Sequence, residues 1–156
     1  MHIKLIQTGK THFKFVDSGF EEFTKRLKHY CKLENILIEL PSKLKSTDIN
    51  LIKKNEGELL LKKIQSTDFV VLLDEKGKEF NSIEFASNIQ KLQLHYATIV
   101  FVIGGAYGFS KEVYERANST ISLSKMTFSH QLIRLIFIEQ LYRAFTILKG
   151  EPYHHE

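Results

Sequence analysis

The sequence is short of the residues that mark several protein classes: it has one cysteine, two prolines and no tryptophan in 156 residues. The single cysteine, Cys31, cannot close a disulfide within the chain, which favours a reducing compartment. So little proline, with only eight glycines, excludes collagen-like and linker-like segments. No apolar run approaches the roughly 20 residues of a membrane-spanning helix, and Met1–Leu5 lacks the apolar stretch of a secretory signal. We therefore expect a cytoplasmic protein.

The overall composition is that of an ordinary soluble globular protein. Hydrophobic residues make up 43% of the chain and charged residues 26%, whereas a disordered chain would be poorer in apolar residues and more one-sided in charge. A length of 156 residues fits one domain. We therefore expect a single domain over residues 1–156.

The net charge of +4 is unevenly distributed along the chain. Residues 1–66 contain 13 lysines and arginines against 8 acidic residues, a net +5, and the remaining residues have a net −1. A polyanion such as RNA is a plausible partner for the basic part, because phosphate contacts release counterions. The other interpretation is that these lysines only solvate the surface.

Alternating strand and helix patterns predict an α/β fold. Two of the predicted strands are continuous apolar runs, which is typical of a parallel sheet covered on both faces. The predicted strands are Ile3–Gln7, Asn35–Leu40, Phe69–Leu73, Thr98–Ile103 and Thr120–Leu123. The predicted helices begin near Phe13, Asp48, Ser82, Ser110 and His130. We expect a turn at Asp74–Gly77, and expect Phe13 and Ile49 on the buried faces of their helices.

The last predicted helix, from about His130 to Lys149, is apolar on almost every side. Only Glu139, Arg143 and Thr146 align into a polar seam. A helix of this kind must be buried on most sides, and one sheet covers only one of them. We therefore expect a homodimer; the alternative is a central helix inside a monomer.

Three segments combine residues that suit a binding site. Gly104–Gly108 follows a buried strand, where ligands of open α/β sheets collect, although a tight turn would read the same way. The loop Ser122–His130 mixes hydroxyls with exposed apolar residues that could clamp a flat ring, or Met126 and Phe128 could simply fill the core. Ser129 or Thr127 is the expected N-cap of the last helix. The tail Gly150–Glu156 offers a stacking ring and an imidazole.

Four segments, taken in order, are specific in combination. They are Phe101–Gly108, Leu123–Phe128, Glu139–Phe145 and Pro152–His154. Together with Gln7–Lys10 and Lys54–Gly57 they resemble the RlmH (YbeA) family of small SPOUT-class methyltransferases over essentially the whole length. Ser129 stands where the family has proline in Thr-Phe-Pro-His, which should loosen the loop slightly.

The resemblance implies an S-adenosylmethionine-dependent enzyme that methylates N3 of a pseudouridine in large-subunit (23S) ribosomal RNA, preferring the assembled ribosome. It further implies a homodimer with no metal, and a deep trefoil knot near the C-terminus that holds the cofactor. The alternatives are a non-catalytic ribosome-binding factor and a SPOUT methyltransferase acting on transfer RNA.

The resemblance also implies individual site residues. Those expected to bind the cofactor are Leu73, Gly104, Gly105, Leu123, Ser124, Lys125, Met126, Thr127 and Phe128. Among the catalytic candidates, His154 is the general base by residue type, Arg143 stabilises charge on the uracil oxygens, and Tyr153 stacks on or orients the base. Glu139, one helical turn from Arg143, is expected to hold it.

Overall fold

Five apolar segments pair side by side, all in parallel, in the computed structural model, which describes residues 1–155. The strands are β1 (His2–Thr8), β2 (Lys32–Ile38), β3 (Phe69–Glu79), β4 (Thr98–Ile103) and β5 (Ser119–Ser122), in the order β2-β1-β4-β3-β5. The helices are α1 (Lys14–Leu27), α2 (Ile49–Leu61), α3 (Ser82–His95), α4 (Lys111–Arg116) and α5 (Leu132–Lys149). The predicted α/β fold with a parallel sheet is confirmed.

The sheet is buried on both faces, as its continuous apolar runs require. On one face, Ile3, Leu5 and Phe101 pack against side chains of α1, α3 and α5. On the other, Val70, Leu72, Val100 and Val102 pack with Leu60 of α2 and Val113 of α4. Because all five strands are parallel, their carboxyl ends meet at a single edge, which is where ligands of open α/β sheets bind.

The predicted turn at Asp74–Gly77 is wrong, because this segment continues β3. The pairing of β3 with β5 shifts register between Leu73 and Lys78, so the intervening residues form a bulged stretch rather than a reversal. Inside it, the backbone N–H of Lys76 donates to Asp74 Oδ1 at 2.9 Å. The bulge bends the strand and brings Asp74 and Glu75 to the carboxyl edge of the sheet.

Replacing Gly77 with alanine should destabilise the protein, because a Cβ there would lie 2.4 Å from the carbonyl carbon of Ile121. The clash is with backbone, which cannot rotate away, so we expect the free energy of unfolding to fall by about 3 kcal/mol. Urea unfolding followed by circular dichroism measures the change. Lys76→Ala, at the exposed neighbouring position, should stay within about 0.5 kcal/mol; equal stability of the two variants would contradict the assigned bulge.

Two residues expected on buried helix faces are exposed. Phe13 precedes α1 and is 48% exposed, and Ile49 opens α2 and is also 48% exposed. Both lie at the start of an apolar stripe, beyond the part of the helix that packs on the sheet. The stripe of α1 is otherwise as predicted, with Val16 and Leu27 buried.

Helix α5 lies on one face of the sheet and packs against both α1 and α3. Its side toward the core is buried through Phe137, Leu141 and Phe145, while Ile136 and Leu148 on other sides are only half-buried. Burial within one chain therefore accounts for part of its apolar surface. The homodimer stays a prediction.

The two ends of α5 are fixed by local chemistry. The N-cap residue is Gln131, whose side chain makes no capping bond, so neither Ser129 nor Thr127 occupies the predicted position. Ser129 still satisfies a free donor of the first turn, because the N–H of Leu132 donates to its Oγ at 3.1 Å, whereas the Thr127 hydroxyl donates to Glu75. Gly150 ends the helix at a φ of 66°. Among residues 1–155, no helix is long and apolar enough to cross a membrane.

A candidate active-site cleft and a separate polar cluster

The main cleft of the described residues opens at the carboxyl edge of the sheet and has a volume of about 650 Å³. Its floor is formed by Leu73, where the bulge of β3 begins, and by the last residues of β4 and β5, Ile103 and Ser122. Roughly 300–1,000 Å³ is usual for a small-molecule or cofactor site. The size and place of the cleft are those of a nucleotide-sized ligand site.

One wall is the glycine turn after β4. The N–H of Gly108 donates to the carbonyl of Gly105 at 3.2 Å, and Gly108 has a φ of 79°. At Gly104, a Cβ would lie 2.9 Å from the ring of Phe109, which itself lines the cleft. The turn therefore leaves no room for a side chain at Gly104, and at Gly108 it takes a backbone conformation that favours glycine.

The opposite wall is the loop from Leu123 to Phe128, which is held in shape by its own hydroxyls. Ser122 Oγ donates to the carbonyl of Ser124 at 2.8 Å, and Ser124 Oγ accepts from the N–H of Met126 at 2.9 Å. Thr127 Oγ1 donates to Glu75 Oε2 at 2.9 Å and so ties the loop to the bulge of β3. Met126 is 77% exposed at the cleft, so it does not fill the core.

The cleft combines apolar surface with charged groups of both signs. Leu123, Phe128 and Ile133 supply the apolar part, and the charged part comprises the carboxylates of Asp74 and Glu75 and the ammonium groups of Lys53 and Lys76. Such a lining suits a ligand with a flat apolar ring and charged groups of its own.

The phenol of Tyr114 also lines the cleft and donates to Asp74 Oδ2. Burial, with the neighbouring Asp74 carboxylate, raises the pKa of Tyr114 to about 12. The phenol therefore stays protonated and holds Asp74 in place.

Eight of the nine residues predicted to bind a cofactor line this one cleft. They are Leu73, Gly104, Gly105, Leu123, Ser124, Met126, Thr127 and Phe128. The ninth, Lys125, is exposed and is not part of the lining. These residues come from three strand ends that are far apart in the sequence and adjacent in the sheet.

The three predicted catalytic residues lie together in a second place, which we call the tail cluster (Glu139, Arg143, Tyr153 and His154). Arg143 donates to Glu139 Oε1 from Nη2 at 2.5 Å and from Nε at 3.1 Å. Tyr153 OH donates to the same oxygen at 3.0 Å, and Arg143 lies over the Tyr153 ring, 4.7 Å from its centroid. Arg143 Nη1 lies 3.4 Å from His154 Nδ1.

The tail is therefore ordered by a charged group at its centre. Burial, followed by the Glu139 carboxylate, raises the pKa of Tyr153, so its hydroxyl remains a donor. None of the four residues of the tail cluster lines the cleft of the same chain. Glu156, at the end of the predicted tail, lies outside the described residues.

The sequence patterns missed Arg134, a buried arginine in α5 that is 1% exposed. Its guanidinium donates to the carbonyl of Thr8 at 2.6 Å, to Thr11 Oγ1 at 2.9 Å and to the carbonyl of His130 at 3.2 Å. It thereby fastens the loop after β1 to the start of α5. The sequence feature that could have indicated this role is an arginine within a helix that is apolar on almost every side.

Glu56, which belongs to the segment Lys54–Gly57, lies beside Gly105 of the glycine turn. A Cβ at Gly105 would be 3.2 Å from Glu56 Oε2, and burial raises the pKa of this carboxyl. Over residues 1–155 no group of three or more histidine, cysteine and acidic side chains is arranged to hold a metal ion.

Comparisons with known proteins agree over the full length of the chain. A family model described as a predicted SPOUT methyltransferase matches residues 1–154. A protein of Christiangramia forsetii named ribosomal RNA large subunit methyltransferase H is 56% identical over 156 residues, covering 99% of each chain. A protein of the same name from Flavobacterium johnsoniae is 49% identical over 157 residues, covering 100% of each.

A solved structure gives an independent comparison of the fold. The crystal structure of a probable methyltransferase from Bordetella pertussis Tohama I superposes with a TM-score of 0.60, covering 92% of this chain and 93% of that one. Sequence identity is only 12%, so this likeness concerns the fold alone.

Proposed function

Because the chain belongs to the SPOUT methyltransferase family, we propose that it is an S-adenosylmethionine-dependent enzyme that methylates N3 of a pseudouridine in 23S ribosomal RNA. The observation that carries the proposal is the cleft, in which eight residues expected to bind the cofactor converge. Relatives that are 56% and 49% identical over full length are named as large-subunit ribosomal RNA methyltransferases, which supports the choice of substrate.

The cleft residues fit S-adenosylmethionine in size and chemistry. The apolar side chains of Leu123, Met126 and Phe128 suit the adenine ring, and the bare backbone of the glycine turn admits close approach. The Asp74 and Glu75 carboxylates suit a ligand that bears positive charge. When bound, this cofactor supplies a methyl group attached to a sulfonium, a donor that needs no metal.

The tail cluster is suited to the acceptor base. N3 of pseudouridine carries a proton between two carbonyl groups, and that proton must leave when the new bond forms. His154 accepts it, the Arg143 guanidinium stabilises the negative charge that develops on the carbonyl oxygens, and the Tyr153 ring stacks on the base. Glu139 holds both Arg143 and Tyr153 in position.

Cleft and tail cluster must meet for the reaction to occur. Since the tail cluster does not line the cleft of its own chain, we propose that a homodimer unites them, the tail of one protomer closing the cleft of the other. The half-buried apolar residues of α5 supply surface for that contact. The trefoil knot belongs to the same proposal, with the loop Leu123–Phe128 tied to β3 through Thr127 and Glu75.

The test is a methylation assay with labelled cofactor on three substrates: ribosomes lacking the modification, free large-subunit RNA and transfer RNA. We expect label on ribosomes, mapped by nuclease digestion and mass spectrometry to N3 of one pseudouridine. Calorimetry should show S-adenosylmethionine binding without any RNA. Label confined to transfer RNA would contradict the substrate, and absence of cofactor binding would point to a non-catalytic ribosome-binding factor.

A further inference from the structure

Two phenylalanines at the start of α1 are stacked on each other in solvent. Phe13 is 48% exposed and Phe15 62% exposed, with ring centroids 5.5 Å apart and planes at 18°. Single exposed apolar residues are common, but two parallel rings form a flat apolar surface of the kind that marks a binding site. We call this pair the aromatic platform.

Basic side chains outnumber acidic ones beside the aromatic platform, where the exposed acid is Asp17. Lys10, His12 and Lys14 all lie within four residues of it and are exposed. Lys10 is 3.6 Å from Glu39 in an open ion pair, whereas Lys14 makes no salt bridge within residues 1–155. Stacked rings flanked by cations suit a partner that presents flat rings and phosphates together.

The aromatic platform lies at the same edge of the sheet as the cleft. It follows the carboxyl end of β1, and Gln131 fastens the intervening loop by accepting from the N–H of His12 at 2.8 Å and donating to the carbonyl of Lys10 at 2.9 Å. The neighbouring His130 lines the cleft. Arg134 holds the same loop through Thr8 and Thr11.

The residue before Phe13 is also close to the cleft lining. Burial, followed by the charges of Arg134 and His12, lowers the pKa of His130, which lines the cleft. His12 is therefore near enough to His130 to act on its charge.

We propose that the aromatic platform is an RNA-contact site, on which unpaired bases flanking the methylated nucleotide stack while Lys10 and Lys14 neutralise phosphates. The proposal rests on the proposed function. Sequence-specific RNA binding commonly takes unpaired bases onto aromatic side chains. The cationic surround favours RNA over a second copy of this chain as the occupant.

The experiment measures methylation kinetics of the double variant Phe13→Ala/Phe15→Ala on ribosomes lacking the modification. We expect KM for ribosomes to rise about 10- to 100-fold, the loss that removal of base stacking produces. The kcat at saturating ribosomes and the affinity for S-adenosylmethionine should stay within about two-fold, because neither ring lines the cleft. Phe15→Trp, which keeps a stacking ring, should retain normal KM.

A matched control is Leu94→Ala, which removes a 78%-exposed leucine next to the start of β4, at the opposite edge of the sheet. It should leave KM unchanged. The second arm uses Lys10→Ala/Lys14→Ala in filter-binding assays with ribosomal RNA. We expect the slope of log K against log salt to decrease by about 1 to 2, while Lys28→Ala, at the far end of α1, leaves it unchanged.

Three results would overturn the proposal. One is an unaltered KM in the double phenylalanine variant while the wild-type protein methylates normally. Another is dissociation of a dimer in sedimentation analysis by that variant, which assigns the aromatic platform to contact between copies. The third is a fall in kcat alone. If instead the wild-type protein methylates none of the RNAs, the proposed function fails, and RNA binding in the filter assay still tests the platform independently.

Discussion

Arg143→Ala should lower kcat for methyl transfer about 10²- to 10³-fold and leave the affinity for S-adenosylmethionine within about two-fold. The affinity is expected to persist because Arg143 lies outside the cofactor cleft of its own chain and, in the proposed dimer, faces the acceptor base rather than the cofactor. The rate is expected to fall because the variant loses the charge that stabilises the deprotonated base, and one such donor is typically worth this factor. It also releases the tail, since Arg143 contacts both the Tyr153 ring and His154.

A lower kcat with unchanged cofactor affinity distinguishes a catalytic role of Arg143 from a structural one. Calorimetry measures cofactor affinity and single-turnover methylation of ribosomes measures the chemical step. Lys149→Ala, on the same helix but exposed, is the control and should retain normal turnover. Near-normal turnover of Arg143→Ala and of His154→Ala would require the catalytic roles of the tail cluster to be abandoned.

Most of the fold could be predicted because apolar patterns are local. Thr98–Ile103 was predicted as a strand with the bounds that the structure has, since six consecutive apolar or β-branched residues fit a strand covered on both faces. The second half of β3 could not be predicted this way. Asp74–Gly77 has the composition of a turn, and the pairing with β5 that continues the strand resumes only beyond it, at Lys78 and Glu79.

The site residues also differ in whether local sequence could predict them. Many residues of the cleft follow strand ends, where a sheet of parallel strands brings them together, and the resemblance to a family identified eight of them. It did not identify Asp74, Glu75 or Tyr114, which line the same cleft. The buried position of Arg134 could not be predicted, because an arginine on a helix is usually solvated. Its shortest hydrogen bond is to a backbone carbonyl 126 positions away in the sequence. Contacts of that sequence separation leave no periodicity to detect. The spacing of residues in the sequence likewise could not predict that the tail cluster lies outside the cleft.

Because the tail cluster and the cleft of one chain lie apart, two inactive variants should restore each other's activity in a mixed dimer. Two variants are each expected to be inactive: Ala106→Trp, which fills the cleft from an exposed wall position, and the double variant Arg143→Ala/His154→Ala, which removes the tail cluster. If one protomer's tail closes its partner's cleft, a mixed dimer has one site with both parts intact. Co-expression at equal levels should therefore restore about a quarter of wild-type activity, because half of the dimers are mixed and half of their sites are whole.

The control is a mixture of the two variants, each purified separately, under conditions in which subunits do not exchange. This mixture should show only the residual activities of the two variants. Two differently tagged chains, purified in succession, isolate the mixed species and should raise its activity to about half of wild type. A site contained within one protomer predicts no recovery in either preparation, since every chain would still lack one part. Restored activity would thus show that a charged tail on one chain and a cleft on another form one catalytic site.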